Sequence, residues 1–306
     1  MTNSMRLDAA ESAFFARELE YVKARTYDIK YPNLKARQII PVSNEVPNGA
    51  NEVTYQQFDR VGRASIIKPG ATDIPRVDVS GLEFSRPVRW GGVAYGYNLI
   101  EIRQAMYAGR PLDQKKAAAA RRAQEELLDE VAAIGAADYG IATGFINNAT
   151  LVAAVETATG EWDDPTTTAD EIIGDVQTLN SAIVNASEGS EMGDTLAIPD
   201  SQYAALASRP RSTTSDTTIL NFLLASIPNL KAIIPWWRLK LAGVGGTTDR
   251  AILYTRSSEH VEQDIVQEFE QMPVFQNGMN FNIDTFVASA GTAFYYPLSA
   301  RYMDGV

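Results

Sequence analysis

Apolar and polar residues alternate on both sides of Lys68-Pro69-Gly70: Val61, Ile66 and Ile67 precede it, and Ile74, Val77 and Val79 follow. Period-two alternation around a turn signal predicts a two-stranded ribbon, spanning residues 53–92. It carries too few large apolar residues to bury either face. An isolated hairpin is marginal in water, and its free edges invite pairing with another chain. Upstream, Phe14, Phe15, Leu19 and Val22 fall near helical spacing, so residues 7–25 read as a short amphipathic helix. Residues 26–52 contain Pro32, Pro41 and Pro47, which oppose helix and interior sheet. They read as an extended arm with a short strand over 38–42.

Helical periodicity dominates next. Residues 98–108 form one predicted helix, with Gly109 as its C-cap candidate. Pro111 and Asp113 suit the first turn of another, over 112–134. That helix is roughly 35 Å long, with Ala117, Ala120, Leu127, Val131 and Ile134 as its apolar seam. Its cations (Lys115, Lys116, Arg121, Arg122) precede its anions (Glu125, Glu126, Asp129, Glu130), against the helix dipole past the first turn. A solvated face with i,i+4 pairs explains this order, and a face that receives a partner is the second reading.

Thr168 and Glu171 make a capping box that opens a helix to about residue 185. Residues 195–198 read as a buried strand, 201–208 and 218–226 as short helices, and 232–234, 237–241 and 250–255 as strands. Alternation over 261–275, 279–288 and 292–296 closes a sheet. The pattern is α+β with two sheets.

Composition adds less than charge distribution. With 306 residues, 45% apolar and 21% charged, the chain has ample material for a core. No apolar run approaches the roughly 20 residues that span a bilayer, so no membrane partner is expected. The N-terminus lacks the basic-then-apolar layout of a signal peptide. There is no cysteine, which excludes disulfides and thiolate chemistry. A net charge of −11 argues against a protein coated in nucleic acid. Residues 53–92 nevertheless hold six basic residues (Arg60, Arg63, Lys68, Arg76, Arg86, Arg89) against four acidic ones. Residues 257–284 hold Glu259, Glu262, Asp264, Glu268, Glu270 and Asp284 and no Lys or Arg. The two segments suit pairing between copies, or equally two solvated surfaces.

Catalytic chemistry finds little support. His260 is the only histidine, so a His-based zinc site or triad has one candidate member; an exposed or locally paired role fits better. Asp163-Asp164 before Pro165 reads as a turn and not as a calcium loop. Gly243, Gly245 and Gly246 form neither a phosphate-binding loop nor a dinucleotide fingerprint. Of Trp236 and Trp237, one reads as core and the other as interface, ahead of a nucleic-acid stacking platform. No catalytic, cofactor or metal residue is nominated.

The order of these parts resembles the major capsid proteins of tailed bacteriophages, the Hong Kong 97-type fold shared with encapsulin shells. The segments RVDVSGLEFSRPVRWGGVAYGYNLIEIRQA and GRPLDQKKAAAARRAQEEL look most like that family. TADEIIGDVQTLNSAI with TLAIPDSQYAALAS resembles its axial domain, and VEQDIVQEFEQMPVFQNGMNFNIDTFVASAGTAFYYPLSA its long peripheral strands. The resemblance implies an N-terminal arm (1–52), an extended loop or E-loop (53–92) and a peripheral domain (93–164) with spine helix 112–134. An axial domain (165–260), peripheral strands (261–297) and a C-terminal return (298–306) follow.

What it implies for function is structural: copies join as pentamers and hexamers in an icosahedral head around double-stranded DNA, with portal, scaffold or decoration proteins as partners. The ribbon then finds its missing core on a neighbour. Ile66, Ile67, Ile74 and Val77 become contact residues beside Arg60, Arg63, Lys68 and Arg76, facing Glu259, Glu262, Asp264, Glu268 and Glu270. Lys68 is the ribbon's single lysine, but no asparagine or glutamate here matches the partners that some relatives use for a covalent crosslink. A compartment shell around a cargo enzyme is the alternative, and a soluble enzyme with a carboxylate site is the second.

Overall fold

The strands of the described residues fall into two five-stranded sheets and a separate ribbon in the protein, whose computed structural model describes residues 32–66, 76–108, 112–212, 214 and 216–306. The predicted 7–25 helix, the Gly109–Pro111 link, and Ile67, Lys68 and Ile74 lie outside the described residues. In chain order the first elements are α1 (Ala36–Ile39), β1 (Val42–Ser43), β2 (Glu52–Val61), β3 (Asp78–Pro87), β4 (Arg89–Asn98), α2 (Leu99–Ala108) and α3 (Leu112–Ile134). Next come α4 (Ala149–Val152), β5 (Glu156–Thr157), α5 (Ala169–Ala186), β6 (Thr195–Ile198), α6 (Asp200–Ser208), α7 (Ile219–Ser226) and β7 (Ala232–Pro235). The chain finishes with β8 (Arg250–Tyr254), β9 (Val261–Gln271), β10 (Phe275–Asn277), β11 (Asn280–Phe294) and β12 (Ala300–Asp304).

The first sheet is organised by β11, which the alternation split in two and which is one strand of 15 residues. β4 runs antiparallel along one edge, from Asn280↔Asn98 to Ser289↔Arg89. β10 and β9 follow each other along the other edge, and β1 adds to β9 in parallel. Register shifts between Phe286 and Gly291 bend the β11–β9 pairing. Gly291 sits at the bend with φ +78°, and a Cβ there would lie 2.7 Å from Ile141 Cγ2, so only glycine fits.

Helix α3 lies against this sheet through Ala120, Gln124, Leu128 and Val131, spaced four, four and three residues apart. The predicted seam is therefore corrected: Ala120 and Val131 face inward, whereas Leu127 and Ile134 are exposed. Polar side chains at inward positions hid the true stripe. Gln124 Nε2 donates to Thr285 Oγ1 at 2.8 Å, and Asp129 accepts from Ala36 N at 3.0 Å. That bond fixes the start of α1, which replaces the strand expected over 38–42. Ile39 and Ile40 are fully buried at its end, each contributing about 1.5–3 kcal/mol of burial.

The second sheet has the order β5-β12-β8-β6-β7. Its strands β6 and β8 are buried at every position. Helix α5 packs Ile172, Val176, Leu179 and Ile183 into the same core as Trp162, Leu196 and Leu253. The capping box is formed as read: Thr168 Oγ1 accepts from Glu171 N at 3.3 Å, and Glu171 Oε2 accepts from Thr168 N at 2.7 Å. The strand expected over 237–241 is instead a 3₁₀ turn, Trp237–Leu239, because Leu239 N turns back to Trp236 O.

Among the described residues, strands β2 and β3 pair only with each other, from Glu52↔Pro87 to Val61↔Asp78. The ribbon ends at Pro87, before the expected Trp90–Gly92 boundary, and Trp90 belongs to the first sheet. At its far end Gly62 has φ +123°, and a Cβ would meet Arg76 O at 2.9 Å. A side chain there would push the two strands apart.

Candidate functional site

Opposed residues in a β-ladder share a face, so the ribbon's register assigns each side chain to one side. One face carries Val53 and Arg86, Tyr55 and Phe84, Gln57 and Leu82, Asp59 and Ser80, and Val61 and Asp78. The other carries Phe58 over Gly81 and Arg60 opposite Val79, with Val77 beside Gly62.

The first face anchors the ribbon at its base. Tyr55 stacks on Phe84 at 5.1 Å and meets the Tyr295 ring edge-on at 4.8 Å. Tyr295 Oη donates to Glu262 Oε1 at 2.7 Å. Arg86 Nη2 reaches Asp264 Oδ2 at 2.5 Å. Asp264 is 1% exposed, and that burial raises its carboxyl above the ordinary range, while Arg86 pulls it back down. Burial likewise raises Glu262, which the Tyr295 hydroxyl partly offsets.

Away from the base the ribbon has no underlying core. Phe58, Val61, Val77, Val79 and Leu82 are all exposed, as is Ile66 beyond the strand. Arg60, Arg63 and Arg76 are exposed and make no ion pair among the described residues. Of the ribbon residues singled out from the sequence, Arg60, Arg76 and Val77 lie together at the far end of the paired strands.

The acidic partner segment needs correction. Asp264 faces inward on β9 and cannot meet a neighbour. Glu262 is held by Tyr295, and Glu268 pairs with Arg37 Nη1 at 2.8 Å. The Arg37 hydrogen bond lowers the Glu268 carboxyl below its usual range. Glu270 accepts from Gln267 Nε2, and Glu259 is exposed. The sequence missed that this strand also packs against α3, which is legible only once the register is known.

The remaining chemical candidates have local roles. His260 Nε2 lies 2.9 Å from Glu191 Oε2, a local pair across the fold. Trp236 is fully buried, and Trp237 is partly exposed with the Arg238 guanidinium 4.7 Å over its ring. Asp164 closes a turn by accepting from Thr166 N at 2.7 Å, which lowers its carboxyl. Among the described residues no group of three or more His, Cys, Asp or Glu could hold a metal ion, and no helix is long and apolar enough to cross a membrane.

Two buried polar centres escaped the sequence reading. Asp175 accepts from Thr159 N and Trp162 Nε1, and Arg250 pairs with Asp304 at 2.6 Å while donating to Ile146 O. Both are structural supports of the second sheet. A concavity of about 760 Å³ beside α5 is open to solvent and lined by small and amide side chains with Arg301 and Glu156 at its margin.

A family model described as major capsid protein matches residues 62–306. No curated protein sequence matches the chain. Among solved structures, a chain from the capsid of Myoviridae phage XM1 superposes with a TM-score of 0.82 at 19% identity, covering 95% of this chain and 98% of that one. A chain from Mycobacterium phage Ogopogo gives 0.64 at 13% identity, with coverage of 95% and 98%. A virus-like particle from Pyrococcus furiosus gives 0.54 at 15% identity, with coverage of 87% and 90%. The fold is thus the Hong Kong 97-like α+β fold of phage capsids.

Proposed function

From the premise that this chain belongs to the major capsid protein family, we propose that copies of it close as pentamers and hexamers into the icosahedral head of a tailed bacteriophage. Its role is structural: it builds the shell and performs no catalysis. The observation that carries this reading is the ribbon, two paired strands of ten residues whose outer half is exposed on both faces. Such an element is not stable alone and gains its burial from a neighbouring copy. In this reading β2–β3 is the E-loop, α3 the spine helix, β4 and β9–β11 the peripheral sheet, and residues 165–260 the axial domain.

Double-stranded DNA is the enclosed cargo. A net charge of −11 supports packaging without adhesion or sequence-specific contact, because tight phosphate binding needs Lys and Arg. Assembly takes place in the host bacterial cytoplasm, with portal, scaffold and decoration proteins as further partners.

Electron microscopy of the expressed chain tests the reading. Closed shells of uniform diameter are expected, and small monodisperse oligomers would overturn it. Shells that package protein and no genome in an infected host would point to a cargo compartment instead. Reversing Arg60, Arg63 and Arg76 to Glu should abolish shells and leave a folded subunit; normal particles would remove the ribbon's cations from the mechanism.

A further inference from the structure

We propose that His260 and Glu191 form a proton-operated latch on the crossovers that join the two sheets. The proposal concerns the single subunit and goes beyond the shell-forming reading. Apart from the long route from β4 through α2 and α3 to β5, the chain passes between the sheets at residues 255–260, from β8 to β9, and at 295–299, from β11 to β12. The two crossovers hold each other: Thr255 N donates to Ser299 O at 3.2 Å, and Tyr295 N donates to His260 O at 2.9 Å. Little packing covers them, since Arg256, Ser258, Glu259, Tyr296 and Leu298 are exposed. Segments with few buried side chains and solvent-facing backbone bonds are where a fold opens first.

Three side-chain ties fasten the first crossover to the 191–194 loop between α5 and β6. Thr255 Oγ1 donates to Met192 O at 2.9 Å, Arg256 N donates to Asp194 Oδ1 at 2.8 Å, and His260 Nε2 lies 2.9 Å from Glu191 Oε2. The first does not depend on pH. Burial works against the Asp194 carboxylate, but the Arg256 amide and Lys231 hold it below its usual range, so the second persists in mild acid. The third contains the chain's single histidine, and imidazole is the side chain whose charge ordinarily changes between pH 5 and 8. The His260 side chain is 15% exposed, its Nδ1 is buried without a partner, and the Tyr296 ring centroid lies 5.5 Å away. Nε2 therefore carries the ring's hydrogen bond. The other charged groups on the surrounding segments are Glu188 and Glu259, both exposed, Asp194 with Lys231, and Arg256, whose Nε donates to Ile39 O. At the adjoining strand ends the Tyr295 hydroxyl donates to Glu262. An imidazolium at 260 makes an ion pair with Glu191, whereas a neutral imidazole keeps a hydrogen bond alone, the weaker tie. The latch is closed in acid and slackens as pH rises through the titration of the imidazole.

With one histidine, a single set of imidazole resonances reports the charge of His260. Hydrogen exchange, corrected for the intrinsic pH dependence of amides, reads the latch at Thr255, Arg256, Val261 and Tyr295, whose N–H groups are all bonded at the crossovers. Their protection should fall about fivefold as pH rises, the effect of weakening one hydrogen bond to a charged group, and with the same midpoint as the imidazole resonances. His260→Gln keeps an amide donor for Glu191 without the titration and should give a flat profile. It leaves Glu262, which burial raises, free to titrate, so a slope that survives in His260→Gln belongs elsewhere and overturns the proposal. Flat protection in the unaltered chain, or a midpoint away from that of the imidazole, overturns it as well. Glu191→Gln covers the case in which His260→Gln does not fold: the imidazole still titrates, and the crossover profile should lose its slope. All of these measurements use dissociated subunits, so a chain that forms no shells would count against the capsid reading alone.

Discussion

Arg86 on β3 and Asp264 on β9 form the ion pair that ties the ribbon to the first sheet, with Nη2 and Oδ2 2.5 Å apart. The Asp264 side chain is 2% exposed, whereas Arg86 retains 19%. The aspartate depends on its partner more than the arginine does.

Arg86→Ala leaves that carboxylate buried beside Glu262. The expected cost is about 3 kcal/mol of subunit stability, the low end for breaking a buried pair. Pairing Arg86→Met with Asp264→Leu should recover most of it, since both charges then disappear together. Urea unfolding of the two variants checks this; equal stability of Arg86→Ala and the unaltered chain would contradict it.

Glu262 and Asp264 bind protons more tightly in the folded chain than in the unfolded one, because burial raises both. Their contribution to stability is therefore greatest in acid and declines as pH climbs from about 4 through their raised values. Glu262→Gln removes one charge and keeps an oxygen for the Tyr295 hydroxyl. At pH 7 it should stabilise the subunit, by on the order of 0.5 kcal/mol after discounting solvent screening. The gain should vanish toward pH 4. Thermal unfolding across that range reads the effect, and a lower Tm at neutral pH would refute it.

Asp129 joins three parts of the chain, accepting from Ala36 N and from Arg238 Nε. Asp129→Ala strands the Arg238 guanidinium and the first amide of α1, at a cost of about 3 kcal/mol. Limited proteolysis should then cut within 34–41 before it cuts elsewhere in the described body. Unchanged protection of that segment would count against the role.

Thr168→Ala deletes one half of the capping box at α5 and should cost about 1 kcal/mol. Thr168→Ser keeps the hydroxyl and should stay within a few tenths of a kcal/mol of the unaltered chain. Chemical denaturation of the pair separates a capping effect from one of volume.

Much of this fold was legible in the chain. The spine-like helix falls at Leu112–Ile134 as its periodicity and caps predict, and the capping box and the buried β6 strand are where local patterns put them, while the ribbon closes at Pro87 instead of at 92. Misreadings arose where tertiary contacts override local preference. Residues 38–42 read as strand, but a carboxylate 93 residues from Ala36 starts a helical turn over Ala36–Ile39 that runs into them. Leu127 looks like core because helical spacing cannot show which stripe the sheet will cover, and Gln124 and Asp129 occupy inward positions that an apolar pattern excludes. The acidic segment shows the same limit for function: charge counts are visible in sequence, but whether Asp264 points inward depends on strand register. The ribbon's exposed outer half followed from composition alone, since too few large side chains were present to cover it.

Among the described residues, the outer edges of β2 and β3 have no strand beside them. Their outward amides and carbonyls are solvated in a lone subunit, and the ribbon gains little from being ordered there. On the proposed burial of the ribbon against a neighbour, the first encounter between two copies spends chain entropy on that ordering with only one seat in reach. Each later copy meets seats already formed. Particle formation should accordingly show a lag followed by rapid closure, with a sharp threshold in subunit concentration, because local folding and growth of the lattice share one rate-limiting step.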